Sequence, residues 1–221
     1  MNKALLGIIG GMGTQASACF YEKLHSMQNV VVEQDYIDIL LYSIPSIPDR
    51  TAFITGKSTE NPLDSLISAA RTLETAGVSR IAIPCITSHY FYDKLSEAVS
   101  IPILNLLDET AFAVSERNAK NICLFATDGT IKGKVFDSAF EKCGINVILP
   151  ADDVQSNLME LIYNIKCGTE FSTDTLNDIT SKALEEGAET VVLGCTELCV
   201  AAKSSPKVIN VLDILAEAAL R

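Results

Sequence analysis

Gly77-Val78-Ser79-Arg80-Ile81-Ala82-Ile83-Pro84-Cys85 decides the fold, because Gly187-Ala188-Glu189-Thr190-Val191-Val192-Leu193-Gly194-Cys195 repeats it. In each stretch a glycine stops a helix, a short apolar run reads as a buried strand, and a cysteine stands where that strand ends. The repeat extends in both directions. Downstream, Asn105-Leu106-Leu107-Asp108 answers Asn210-Val211-Leu212-Asp213; upstream, the apolar run before Gly13-Thr14 answers the run before Gly129-Thr130. A spacing of about 110 residues between equivalent positions is far longer than a solenoid repeat and implies two similar halves.

Strand-like runs alternate with amphipathic helices throughout. Leu5 to Ile9, Ile37 to Tyr42, Arg80 to Ile83 and Pro102 to Leu104 read as strands in the first half. Asn121 to Phe125, Asn146 to Leu149, Thr190 to Leu193 and Val208 to Val211 read as strands in the second. Between them, Asn61-Pro62 starts a helix in which Leu63, Leu66, Ile67, Ala70 and Leu73 share a face. Leu176, Ile179, Ala183 and Leu184 line another. Such alternation predicts an α/β fold of two pseudo-symmetric domains, each a mainly four-stranded parallel sheet flanked by helices. The expected boundaries are 1–104 plus 210–221 for the domain with Cys85, and 105–209 for the domain with Cys195. The active site is expected in the cleft between them, beyond the carboxyl ends of the strands.

Composition narrows the function. The 221 residues carry 17 basic and 28 acidic side chains, a formal net charge of −11, which argues against nucleic acid as a partner. No apolar run approaches the length of a membrane span, and Met1-Asn2-Lys3 leads into a strand rather than a signal sequence. A cytoplasmic protein is expected, with seven reduced cysteines. With two histidines, His25 and His89, a histidine-rich metal site is excluded and no metal is expected. Cysteine is left as the reactive residue.

Cys85 and Cys195 each stand between a strand end and a helix start, where the positive end of the helix dipole could draw a thiol pKa toward neutrality. Two thiols facing each other across a cleft suit proton transfer on both faces of one small substrate. Cys19, Cys123, Cys143 and Cys167 read as small hydrophobes; Cys199, one turn after Cys195, has no counterpart in the first half.

Six motifs in order carry a resemblance. Gly10-Gly11-Met12-Gly13, Pro48-Asp49-Arg50-Thr51, Cys85 with Thr87 and His89, Ala126-Thr127-Asp128-Gly129-Thr130, Ile165-Lys166-Cys167-Gly168 and Gly194-Cys195-Thr196-Glu197-Leu198 resemble the aspartate/glutamate racemase family, from Gly7 to Ala219. The resemblance is greatest to aspartate racemase. It implies racemisation of aspartate, or glutamate, without pyridoxal phosphate or any other cofactor: one of Cys85 and Cys195 removes the α-proton and the other returns one to the opposite face. It also implies a homodimer, and a dicarboxylic amino acid as the small-molecule partner.

The same resemblance assigns Arg50 and Lys166 to the substrate carboxylates. Read from the residues alone, Arg50 is rather a surface ion pair with Asp49 or another acid, and Lys166 a solvated charge at a helix end; the resemblance reverses the first reading. The backbone amides of Gly11, Met12, Gly13 and Thr14, and Thr127 with Thr130 in the matching second turn, are expected at the substrate carboxylates. Thr87, Ser88 and Thr196 either cap the helices after the cysteines or touch the substrate. Glu197 is a first-turn helix charge or a partner for the substrate ammonium or a histidine, and His89 either tunes Cys85 or is structural. The chain departs from the family pattern at Ile86, where asparagine is usual, at Ser88 for alanine and at Thr14 for proline. A maleate isomerase or hydantoin racemase of the wider superfamily, or a non-catalytic amino-acid-binding protein, are the alternative readings.

Overall fold

An unbroken apolar run such as Leu5 to Ile9 is satisfied only where a strand is covered on both faces. In the computed structural model, which describes residues 4–169, 172–202 and 205–221, that run is β1 (Leu5–Gly10), the central strand of a parallel sheet ordered β2-β1-β3. Residues 1–3, read above as leading into this strand, lie outside the described residues. The first half runs β1, α1 (Thr14–Ser26), β2 (Asp38–Ser43), α2 (Arg50–Ile54), α3 (Leu63–Thr75), β3 (Arg80–Ala82), α4 (Tyr92–Ala98) and α5 (Leu106–Glu116). The second runs β4 (Asn121–Phe125), α6 (Asp128–Lys132), α7 (Asp137–Lys142), β5 (Asn146–Ile148), α8 (Asp152–Cys167), α9 (Thr173–Glu185), β6 (Thr190–Leu193), α10 (Thr196–Ala201), β7 (Val208–Asn210) and α11 (Val211–Leu220).

The second sheet has four strands in the order β5-β4-β6-β7, all parallel, with Leu124 opposite Val192 and Ile209 opposite Val192 on the other side. The first has three, and its fourth position is held by a single parallel bridge between Ile81 and Ile103. The Ile81 amide donates to Pro102 O at 2.9 Å and the Leu104 amide to Ile81 O at 2.8 Å. The run Pro102 to Leu104 stops there because Pro102 has no N–H to give and Asn105 already caps α5 through the amides of Leu107 and Asp108. Counting that bridge, both halves share one strand order, which is the duplication read in the sequence made visible in three dimensions.

Helix α3 shows how locally the chain specifies its elements. Asn61 Oδ1 accepts the Leu63 amide at 3.0 Å, Leu66, Ala69, Ala70 and Leu73 are buried, and Gly77 leaves the helix with φ of 85°. Gly187 does the same after α9, with φ of 108°. One hydrophobic core runs through both halves, joining Leu6, Ile8, Phe20 and Leu24 to Phe125, Val192 and Leu215. Each such side chain, fully buried, contributes about 1.5–3 kcal/mol. Helix α11 leaves the second sheet and packs on α1 and α5, tied by Lys23 Nζ to Asp213 Oδ1 at 2.5 Å and by Arg80 to the Ala219 carbonyl. No described helix is long and apolar enough to cross a membrane.

Candidate active site

Cys85 follows β3 and Cys195 follows β6, the strands beside the centre of each sheet. Both have extended backbones, and both are closed off from solvent, with relative exposures of 5% and 4%. After Cys85 the chain makes a tight 3-10 turn, Ile86–Phe91, before α4; after Cys195 it enters α10 directly.

The two cysteine loops reach across to the opposite half in the same way. Thr87, two residues after Cys85, places its hydroxyl 3.0 Å from both Thr127 and Thr130, in the turn after β4. Glu197, two residues after Cys195, accepts the Gly13 amide on Oε1 at 2.8 Å, in the matching turn after β1. Thr196 closes the seam by donating to Pro84 O, next to Cys85, at 3.1 Å. Beside the seam Gly129 lies so close to Thr51 that a Cβ there would come within 2.7 Å of its Cα. Thr87 and Thr196 therefore span the cleft instead of capping the segments they begin, while Ser88 turns to Met12 Sδ at 3.5 Å. Thr127 is the hydroxyl that caps, accepting the Thr130 amide at 3.1 Å.

Two cations enter this seam. Arg50, at the start of α2, is 6% exposed and pairs with no acid among the described residues. Asp49, the partner suggested by adjacency, caps α2 through the Ala52 amide at 2.7 Å. The guanidinium is held instead by carbonyls: Nη1 donates to Ile47 O and Pro48 O at 3.2 and 3.0 Å, and Nη2 to Met12 O at 3.3 Å. Its Nε is buried without an acceptor among the described residues. Nε and Nη2 share the edge on which a guanidinium takes a carboxylate with two parallel bonds. Lys166, half-buried at the end of α8, lies over the Tyr163 ring at 5.3 Å and within electrostatic reach of Arg50, Glu197, Cys85 and Cys195. Burial works against its charge, yet Glu197 and Cys195 outweigh it and its pKa is raised.

Cys195 does not follow the expectation of a helix-end field. Burial pushes the Cys195 pKa well above the ordinary thiol value; Glu197 adds to the rise through its charge and its contact with the thiol, and Lys166 opposes it. Cys195 Sγ lies 3.0 Å from Glu197 Oε2. A half-dipole at a six-residue helix is outweighed by desolvation and an adjacent carboxylate. Cys199 bonds weakly to Leu193 O and Cys195 O and is pushed up to about 12 by burial, so it is an inert core thiol. Cys123 is buried, Cys19 and Cys143 half-buried and Cys167 exposed.

The glycine-rich turn after β1 is partly occupied by its own chain. Gly11 N donates to Ser17 Oγ at 2.9 Å, and Ser17 Oγ donates to Gly13 O at 2.8 Å. With Gly13 N on Glu197, two of the amides expected to face a substrate carboxylate are engaged internally. Met12 contributes its carbonyl to Arg50, and Ile86 is a buried core residue, 1% exposed. Sequence reasoning missed Ser17, which shapes this turn, and Gln155, whose amide holds Ala126 O at 3.0 Å and Asp128 Oδ1 at 2.9 Å in the second-half turn. It also missed Tyr163 as the support of Lys166, although three residues on one helix put the two side chains on one face.

His89 is a brace. Its Nδ1 lies 3.0 Å from Cys85 O, which only accepts, and the Leu106 amide points to its Nε2 at 3.4 Å, so the ring is neutral. Burial is the main reason its pKa is lowered. A histidine that is neutral when folded but binds a proton when unfolded makes stability rise with pH between its folded value and the unfolded value of about 6.5. Melting midpoints are therefore expected to hold above that value and fall as the pH drops below it. His89→Ala should lower the plateau by about 2–4 kcal/mol and flatten this acid step; an unchanged step in denaturation curves across the range would remove His89 as its cause.

Residues 9–220 match the Asp/Glu/Hydantoin racemase family. The chain is 27% identical over 205 residues to a broad-specificity amino-acid racemase of Bacillus subtilis, covering 88% of this chain and 86% of that one. Among solved structures it superposes on an aspartate racemase of Picrophilus torridus with a TM-score of 0.88 at 28% identity, covering 98% of this chain and 93% of that one. An aspartate racemase homologue from Pyrococcus horikoshii gives 0.78 at 26% identity, covering 100% and 98%. Two duplicated α/β halves, paired cysteine loops and these likenesses together lead to one conclusion: the chain belongs to the Asp/Glu/hydantoin racemase family.

Proposed function

We propose that the protein racemises an acidic amino acid, aspartate with glutamate close behind, by proton transfer between Cys85 and Cys195. The observation that carries the proposal is a buried Arg50 with no acid partner among the described residues, linked through Lys166 to two buried thiols at equivalent strand ends. Charge supports the substrate class. Arg50 and Lys166 set against Glu197 leave the seam one positive charge in excess when both cysteines are thiols, and a dicarboxylic amino acid brings one net negative charge. A monocarboxylic amino acid would leave the excess buried and uncompensated, which is costly.

In this reading one cysteine first passes its S–H proton to a base within the seam and reacts as thiolate: the Cα–H bond breaks toward that sulfur, its electron pair stays on the α-carbon and spreads into the α-carboxylate, and a new Cα–H bond forms from the opposite S–H, whose sulfur is left as thiolate. The atoms balance with one thiolate, one thiol, the base that holds the displaced proton and the substrate, so no cofactor is required. The cost lies in the carbanion. Oriented donors in a closed seam, chiefly Arg50 and Lys166, stabilise it, the kind of contribution that is usually the largest in such reactions. Discrimination between aspartate and glutamate is modest, since one methylene is worth about 1–3 kcal/mol even in a fitted pocket.

The test is incubation of each enantiomer of aspartate and glutamate in deuterium oxide, read by chiral chromatography and mass spectrometry. Inversion with α-deuterium in the product is expected. Binding of these acids without inversion or deuterium uptake would replace the enzyme with an amino-acid-binding protein.

A further inference from the structure

The two cysteine loops are alike in sequence position but not in chemistry. The residue two after Cys85 is Thr87, whose hydroxyl is spent on Thr127 and Thr130. The residue two after Cys195 is Glu197, 2% exposed, with Oε1 fixed by the Gly13 amide and Oε2 in contact with the thiol. One oxygen anchors the carboxylate; the other meets the sulfur at 3.0 Å, with the Thr196 hydroxyl a longer contact at 3.4 Å, and is placed to exchange a proton with the thiol. Building on the racemase reading, we propose that Glu197 is the proton partner of Cys195, taking the thiol proton on Oε2 as the sulfur takes the substrate α-proton.

The steps balance. With the α-hydrogen facing Cys195, the existing S–H bond breaks toward Glu197 and an O–H bond forms. The Cα–H bond breaks toward sulfur, and the electron pair remains on the α-carbon. Cys85 then gives its proton to the other face and is left as thiolate, while Glu197 holds the displaced proton. The other enantiomer runs these steps in reverse from Cys85 thiolate and protonated Glu197, and proton exchange with solvent after product release restores the first form. The net charge of the seam is the same in both forms, so neither direction buries an extra charge. Cys85 needs no such partner because it ionises as the carbanion is protonated.

The groups around the pair are few. From α8, Lys166 interacts with both Cys195 and Glu197 and Tyr163 with Cys195; Lys166 in turn feels Arg50 and Cys85, and Tyr163 feels Arg50 and Asp49. Glu197 acts through Cys195 and is a positioning residue, so its test needs a readout that a merely structural side chain would not move.

Two measurements on Glu197→Gln supply it, with melting curves to confirm folding and Glu197→Asp as the conservative variant. The first follows the carbon-13 signal of the Cys195 β-carbon against pH without substrate, assigned by Cys195→Ser. Removing the adjacent negative charge should move the midpoint to lower pH. The second is the pH dependence of kcat/KM for both enantiomers: a fall of about 10²–10⁴-fold is expected, with the acid limb moving to higher pH because the sulfur must now ionise unaided. Glu197→Asp should recover part of the rate and the original limb. An unmoved Cys195 midpoint, or an unmoved acid limb, would overturn the proposal. A shifted midpoint in a wild-type protein inactive toward all four amino-acid enantiomers would instead overturn the racemase reading and leave the coupling of Glu197 to Cys195 standing.

Discussion

Cys85→Ala and Cys195→Ala are each expected to remove racemisation, lowering kcat/KM by at least about 10²–10⁴-fold in both directions, the usual contribution of one positioned acid or base. Inversion needs a group on each face of the α-carbon, so losing either breaks the whole reaction and the double variant should be little worse than the single ones. The half-reactions separate the two roles. With Cys195 gone, the enantiomer whose α-hydrogen faces Cys85 should still exchange that hydrogen with deuterium oxide while keeping its configuration; with Cys85 gone, the other enantiomer should do so. Stability is a minor concern at these sites, because alanine removes a single buried sulfur from each, worth about 1–3 kcal/mol. Cys195→Ser is a useful companion, since a hydroxyl keeps the bond to Glu197 Oε2 yet is too weak an acid to serve. Full turnover in any of these variants would take that sulfur out of the mechanism.

What the sequence disclosed was whatever depends on neighbours along the chain. Strands β4 and β6 begin and end at the residues read from their apolar runs, because Gly129 and Gly187 punctuate them and each lies between two other strands. The Asn105 and Asn210 caps were equally visible, each holding two amides of the helix it starts. The site was legible in its residue types and not in its wiring. Glu197 meets Gly13 across 184 residues, and no local pattern announces that an amide of the glycine turn is already taken. Adjacency misled at Arg50, since Asp49 serves the helix start and leaves the guanidinium to carbonyls. The thiol field was misjudged for a similar reason. A helix start is written in the sequence, whereas the burial and the Glu197 carboxylate that outweigh it appear only when the halves are packed together.

Arg50→Lys should cost two to four orders of magnitude in kcat/KM for aspartate, carried chiefly by KM. The estimate follows from the bonds at stake: a carboxylate on the Nε and Nη2 edge receives two charge-assisted hydrogen bonds of about 1.5–3 kcal/mol each, and about 1.4 kcal/mol is a factor of ten. Lysine keeps the charge but not the fork. Its ammonium would fall among the carbonyls of Met12, Ile47 and Pro48 that now hold the guanidinium, and satisfying them would leave little for a substrate. Arg50→Met separates charge from shape. It removes a buried cation that has no acid partner among the described residues, a stabilising change, and leaves three carbonyls without that donor, a destabilising one, so the melting temperature should move by a few degrees at most while dicarboxylate binding is lost. Calorimetric titration with aspartate beside a thermal melt reads both quantities. Unchanged binding in Arg50→Met would mean that this guanidinium is a clamp on the turns after β1 and β2 and that Lys166 alone meets the substrate, which would also undo the charge balance on which the choice of an acidic amino acid rests.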